Sequence, residues 1–245
     1  MTVKSGVVVG LALCGALMAG QVLADCVSAP VAGDLDFSVC KEWLAYPGLI
    51  ISANAKFERS SVPESTDTSG TYDFNLSVLK SDQTKPVATY HQASAFFSGG
   101  VALRDLSLDT ARYKLTPEVR AFGVRVQFTN ASRLNPLEET HLSLYVREGE
   151  KLRPVLSQLV VYEYGGEWDG DCAGERYETT RTVEIAKTSS HGYADLIIKS
   201  KTTGTTNVVE GNTCEDKISV SSPELTTLHY DGKSYVLPKG FKAIE

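Results

Sequence analysis

The sequence predicts an all-β chain, mainly antiparallel, folded as a sandwich or barrel-like domain and held by two disulfides. Three observations predict it. Apolar and polar residues alternate strictly in several runs, turn-forming residues separate those runs at short intervals, and four cysteines remain once an N-terminal leader is removed.

The leader comes first in the chain. Lys4 precedes an apolar stretch that runs from Val7 to Ala19, and Val22-Leu23-Ala24 has the small-residue spacing of a signal peptidase site. Residues 1–24 therefore read as a signal peptide cut after Ala24. The run is too short for a spanning helix, which needs roughly 20 apolar residues. Neither Cys14, preceded by Leu13, nor Cys26, preceded by Asp25, has the small residue that lipidation requires directly before it. The expected location is the periplasm or the extracellular medium, with no membrane span after cleavage.

Residues 25–245 read as a single β-rich domain, with a possible subdivision near 110–120. Without its leader the chain carries 23 basic against 30 acidic residues, a net charge of −7. Such a chain has no electrostatic draw toward nucleic acid, and a protein partner, favourably a basic one, is the expected contact. Cleavage removes Cys14 and leaves Cys26, Cys40, Cys172 and Cys214. An even set in an oxidising compartment implies two bridges. Of the three pairings, Cys26–Cys40 and Cys172–Cys214 are favoured because each pair is close in sequence. No Cys-x-x-Cys occurs and no histidine lies near a cysteine, so no metal or other cofactor is expected.

Strand period dominates the rest. Tyr72–Val78, Phe122–Phe128 and Leu142–Arg147 alternate without a fault, as strands do with one face on a core. Further strands are expected at 49–57, 101–108, 156–164, 177–187, 193–200, 217–221, 225–230 and 234–237, where Val, Ile, Thr and Tyr are frequent. Turns are expected at Ser189–Gly192, at Thr202–Asn207, at Asp231-Gly232 and in the polar loop Asn130–Pro136. Phe37–Tyr46, ending before Pro47, reads as a short helix, and Leu106–Leu115 is ambiguous.

Motifs that carry chemistry are scarce. The sequence has no Gly-x-Ser-x-Gly, no His-Glu-x-x-His and no phosphate-binding glycine loop. His91, His141, His191 and His229 are too far apart in sequence to form a local ligand pair. Catalytic residues are therefore not assigned. The densest acidic segment, Glu167–Glu175, sets Trp168 beside Asp169 and Asp171. The tryptophan is a candidate contact residue. The two aspartates are candidate binding residues, although the ligand spacing of an EF-type calcium loop is absent.

Ser69-Gly70-Thr71-Tyr72 resembles the short Ser-Gly-x-Tyr loop of the periplasmic inhibitors of invertebrate-type lysozymes. That resemblance implies Ser69 and Tyr72 as residues that enter a partner's cleft. Gly192-Tyr193-Ala194-Asp195-Leu196, followed by Tyr230-Asp231-Gly232-Lys233-Ser234-Tyr235, is similar to a pattern in uncharacterised exported bacterial β-rich proteins, somewhat like FG-GAP repeats. It implies fold and export and no reaction. Asn75-Leu76-Ser77 and Asn130-Ala131-Ser132 match the glycosylation sequon, which bears only on a eukaryotic host, whereas the resemblances favour a bacterium.

The reading is thus a disulfide-stabilised binding protein, an inhibitor or immunity protein against an envelope-directed enzyme being its most concrete form. The alternatives are a hydrolase of envelope polymers and an accessory subunit of an envelope complex.

Overall fold

The computed structural model describes residues 26, 35–60 and 69–241. The expected leader lies outside them. The described residues contain strands, bridges, turns and loops and no helix, and twelve strands form one hydrogen-bonded sheet. The strands are β1 (Phe37–Glu42), β2 (Leu49–Arg59), β3 (Gly70–Lys80), β4 (Pro86–Ser98), β5 (Val101–Asp109) and β6 (Phe122–Asn130), then β7 (Leu137–Glu148), β8 (Lys151–Trp168), β9 (Gly174–Ser190), β10 (Tyr193–Glu210), β11 (Thr213–Val220) and β12 (Glu224–Leu228). Both disulfides are formed, Cys26–Cys40 and Cys172–Cys214, with Cα atoms 5.9 and 5.7 Å apart.

Eight strands follow the order β1-β2-β3-β4-β8-β7-β6-β5. Every pairing is antiparallel except the single parallel contact between Thr89 on β4 and Lys151 on β8. The path curls, because the Lys41 ammonium on β1 donates to the Leu108 carbonyl on β5, at the opposite end of the order. A first core fills this curl. Ile51, Ala53, Tyr72, Phe74, Leu76, Val78, Leu106, Phe122 and Val124 are its main buried residues.

A second core lies on the other side of β7. Leu142-Ser143-Leu144-Tyr145-Val146 explains how one strand serves both. Leu142, Leu144 and Val146 face the second core with Leu156, Leu159, Leu196, Ile198 and Leu228, whereas Tyr145 turns back to stack on Phe122 in the first. The segment between β5 and β6 belongs to the second core through Tyr113, Leu115 and Ala121. Burial of this kind stabilises by roughly 25 cal/mol per Å² of apolar surface.

Several local expectations change. Phe37–Glu42 is a strand and not a helix, since it pairs with Glu42↔Ile50 through Phe37↔Ala55 on β2. After it, Trp43 and Tyr46 close a tight turn through the bond from Tyr46 N to Trp43 O. Leu106–Asp109 continues β5, and Lys114 and Arg120 form an isolated bridge. Thr202–Asn207 is strand interior, because β10 continues to Glu210. The turn follows at Gly211, where φ is +65°. Residues 234–237 make only the single bridge Tyr230↔Tyr235.

At Ser190–Tyr193 the expected turn is present. His191 and Gly192 both have positive φ, which is the geometry of a tight primed turn.

β8 to β11 build the element that positions the candidate site. Beyond Tyr162, β8 no longer packs against the second core and pairs with β9 from Tyr162↔Thr180 to Trp168↔Gly174. β9 pairs with β10, and β10 with β11. The result is a twisted arm. Cys172, in the β8–β9 turn, is clamped to Cys214 on β11 across the two intervening strands.

Candidate functional site

The arm carries an open groove of about 810 Å³. Trp168, Arg176, Tyr177 and Thr205 line it, together with Asn135 from the loop before β7. The charged residues around it are Glu167, Asp169, Glu175 and Arg176, and the strand pairing puts Glu167 and Glu175 on the face of the arm opposite Trp168 and Arg176. Glycines make room for it. A Cβ on Gly174 would fall 2.8 Å from Trp168 Cδ1, and one on Gly165 would fall 2.8 Å from the Tyr177 hydroxyl. Each aromatic ring therefore lies over the glycine that pairs with it across the strands, an arrangement in which the ring covers backbone the glycine leaves bare.

Trp168 is 41% exposed and its backbone N–H donates to Leu134 O, which ties the arm to the β6–β7 loop. Asp169 serves the turn. Its carboxylate accepts from Asp171 N at 2.9 Å and its N–H donates to Ala173 O. Asp171 is exposed beside it. No group of His, Cys, Asp or Glu able to hold a metal occurs among the described residues.

The other sequence candidate breaks apart. Ser69 and Tyr72 do not form a projecting loop, because Gly70–Lys80 is already strand. Tyr72 is 1% exposed and sits between the rings of Phe37 and Phe57 in the first core. Its ring packs inside the first core. Burial, reinforced by Asp36, raises its phenol above the ordinary range.

A second group, not found from the sequence, lies next to the groove. On β7 and β8, Glu139 pairs directly with Glu163, and on β9 and β10 the same row continues through Thr179 and Thr202. Two carboxylates opposite one another repel unless each is compensated. His141 Nε2 lies 2.7 Å from Glu139 Oε2, both side chains being buried. Glu163 accepts from the Tyr177 hydroxyl at 2.9 Å and lies 3.5 Å from the Arg181 guanidinium. Burial, with the hydrogen bond to Glu163 next, pushes the Tyr177 phenol up to about 12. The Arg181 guanidinium also donates to Val160 O and stacks 5.2 Å from the centre of the Phe241 ring. Glu139, His141 and Glu163 are not among the residues that line the arm groove, whereas Tyr177 lines it and also bonds to Glu163.

The histidine on β12's C-terminal side makes a different cluster. His229 Nδ1 lies 3.2 Å from Ser190 Oγ and 3.1 Å from Asp195 Oδ1. A serine relay needs the serine and the carboxylate on opposite ring nitrogens, and here both face the same one. Asp195 is instead a structural residue at the β10 bulge, 2% exposed. Burial pushes its carboxyl up, but the Ser190 and Thr188 hydroxyls and His229 outweigh that and hold it below the usual carboxylate range.

The remaining histidines have local partners, His91 with Asn75 Oδ1 and His191 with Tyr230 O. No helix among the described residues is long and apolar enough to cross a membrane. No family model, curated protein or solved structure matches this chain.

Proposed function

We propose that the protein is an exported, disulfide-stabilised binding protein that receives a protein partner on its β8–β11 arm. The observation that carries the reading is the open groove beside the exposed Trp168. Aromatic side chains at the rim of an open, mixed polar and apolar depression supply the large contact area that protein interfaces depend on. Three acidic residues against one arginine around the groove, counted over both faces of the arm, favour a segment of net positive charge. The Cys172–Cys214 bridge supports the same reading, since a clamped arm loses less freedom on binding than a loose hairpin.

Export through the 1–24 leader and work in the periplasm or outside the cell fit the two disulfides. The finer reading is inhibition of, or immunity to, an envelope-directed enzyme. It rests on the excess of acidic residues around the groove.

The test is capture of partners from envelope extracts by the immobilised protein, followed by the same capture with the double variant Glu167→Lys, Glu175→Lys. Both positions are exposed. The expected result is a basic protein retained by the wild type and lost by the variant. Retention of the same proteins by both, or of none by either, overturns the reading.

A further inference from the structure

The arm's outer edge is bare among the described residues. β11 and β12 follow one another along the same side of β10, pairing with Thr203–Glu210 and Leu196–Ser200, and Pro223 lies in the break. All eight residues of β11 are exposed. Ile218 and Val220 are 68% and 57% exposed and project on the same face as Trp168, because Ile218 pairs with Thr205 and Val220 with Thr203.

Edge strands are normally blunted by charge, proline or a bulge. The first half of β11 has such protection in Glu215, Asp216 and Lys217. Its second half, Ile218-Ser219-Val220, has none, and its register with β10 is unbroken.

The backbone is also oriented for pairing. Ser221 N donates to Thr202 O, just past the end of β11. By alternation, the odd-numbered residues of β11 turn their N–H and C=O groups toward β10. The even-numbered ones, Ile218 and Val220 among them, turn theirs outward.

We propose that this edge pairs antiparallel with the same edge of a second copy of the chain, about a two-fold axis beside Ser219. Such an axis stands perpendicular to the sheet and keeps each face on its own side, so it must pass beside a residue that opposes itself. Axes beside Glu215, Asp216 or Lys217 set like charges against each other. An axis beside Ile218 sets Asp216 against Val220 twice.

The axis beside Ser219 sets Ile218 of each copy against Val220 of the other, and Lys217 against Ser221. The outward backbone groups of Ile218 and Val220 then exchange hydrogen bonds. Ser219 faces its own copy in a non-hydrogen-bonded pair, where the Cα atoms approach to about 4.5 Å. The pairing removes both bare edges at once, which an open edge otherwise leaves available for uncontrolled association. It is independent of the groove, so failure of either proposal leaves the other standing.

The experiment is sedimentation and light scattering of the purified, disulfide-intact protein over a range of concentrations, with two further variants. The wild type is expected to reach twice the chain mass. Val220→Lys, a change at an exposed position, is expected to stay at the chain mass, with a melting temperature that no longer depends on concentration. Under mild oxidation Ser219→Cys is expected to form a covalent dimer, because residue 219 meets itself, whereas Ser221→Cys, which faces Lys217, does not. A wild type that stays monomeric throughout overturns the proposal and leaves the edge to a strand of another protein. Equal cross-linking through positions 219 and 221 overturns it as well.

Discussion

Trp168 lies across Gly174, its partner in the β8–β9 ladder, so closely that any Cβ at position 174 would also come within 2.6 Å of Glu167 O. The ring is held against backbone, and this leaves its outer side on the groove. The sequence places Trp168 and Gly174 six residues apart with a cysteine-bearing turn between them, and only the register shows that they meet.

A substitution at that glycine is the first test of the arm. Gly174→Ala forces the ring or the Glu167 peptide aside, and overpacking of this kind costs typically 1–3 kcal/mol. The expected result is faster amide exchange in residues 162–180, read by mass spectrometry, while the exchange of β2 and β3 stays at its wild-type rate. Uniform loosening of both regions would contradict the picture of an arm that unfolds apart from the first core.

The bridge at the arm's tip gives the second prediction. Cys172→Ser should lower stability by roughly 2–4 kcal/mol by releasing the unfolded chain from a cross-link of 42 residues' separation. Cys214 should become open to alkylation. Denaturant unfolding and mass spectrometry of the alkylated protein check the two outcomes. A Cys214 that stays blocked would mean that it exchanges with another cysteine.

Acid sensitivity follows from two carboxylates. Burial pushes the Asp109 carboxyl up. The Ala111 amide at 2.9 Å, the Arg125 guanidinium at 2.7 Å and the Tyr113 hydroxyl at 2.8 Å outweigh burial and hold it below its ordinary range. Asp195 is lowered for the reasons given above. A carboxyl whose folded pKa is depressed adds stability above its unfolded pKa, and that stability is lost as the pH falls toward the folded value. Unfolding free energy should therefore decline below about pH 4, the unfolded carboxylate range. In the double variant Asp109→Asn, Asp195→Asn the decline should be shallower, with stability at pH 7 reduced by more than about 1 kcal/mol. Parallel pH profiles for the two proteins would contradict these assignments.

The compensated carboxylate pair supplies a fourth test. Arg181→Met removes the cation beside Glu163 and leaves Glu163 and Glu139 opposed with only His141 and Tyr177 to compensate. Breaking a largely buried ion pair from one side costs about 3–5 kcal/mol. Adding Glu163→Gln to that variant should recover part of the loss, and thermal unfolding of the two variants compares them directly. A double variant less stable than the single one would show that Arg181 acts through Val160 and Phe241 and not through the carboxylates.

Most strands were legible because one face of each meets a core, which is the condition for alternation. Tyr72-Asp73-Phe74-Asn75-Leu76 displays it, and the same pattern already placed Tyr72 inside, against the surface role its motif suggested. Phe37–Glu42 reads as helix in the sequence because Trp43 and Pro47 follow it closely and its own mostly half-buried residues show no clean alternation. β4 showed no alternation because His91, Gln92, Ala93 and Ser94 are all exposed, at a bulge where Ser94 takes a positive φ. Thr202–Asn207 looked like a turn because of Gly204, yet threonine suits a pleated surface. Gly204 instead pairs with Tyr177 within the ladder. The Glu139–Glu163 row had no signal in the sequence, since 24 positions separate residues that only register brings together.

The proposed partner site on the arm groove has a direct test. A photo-cross-linking residue placed at Thr205, in the groove lining, and separately at His91, on the exposed far side of β4, compares the two surfaces in living cells. A discrete covalent adduct with a second protein is expected from position 205 and none from position 91. Adducts of equal yield from both positions, or none from position 205, would contradict the proposal.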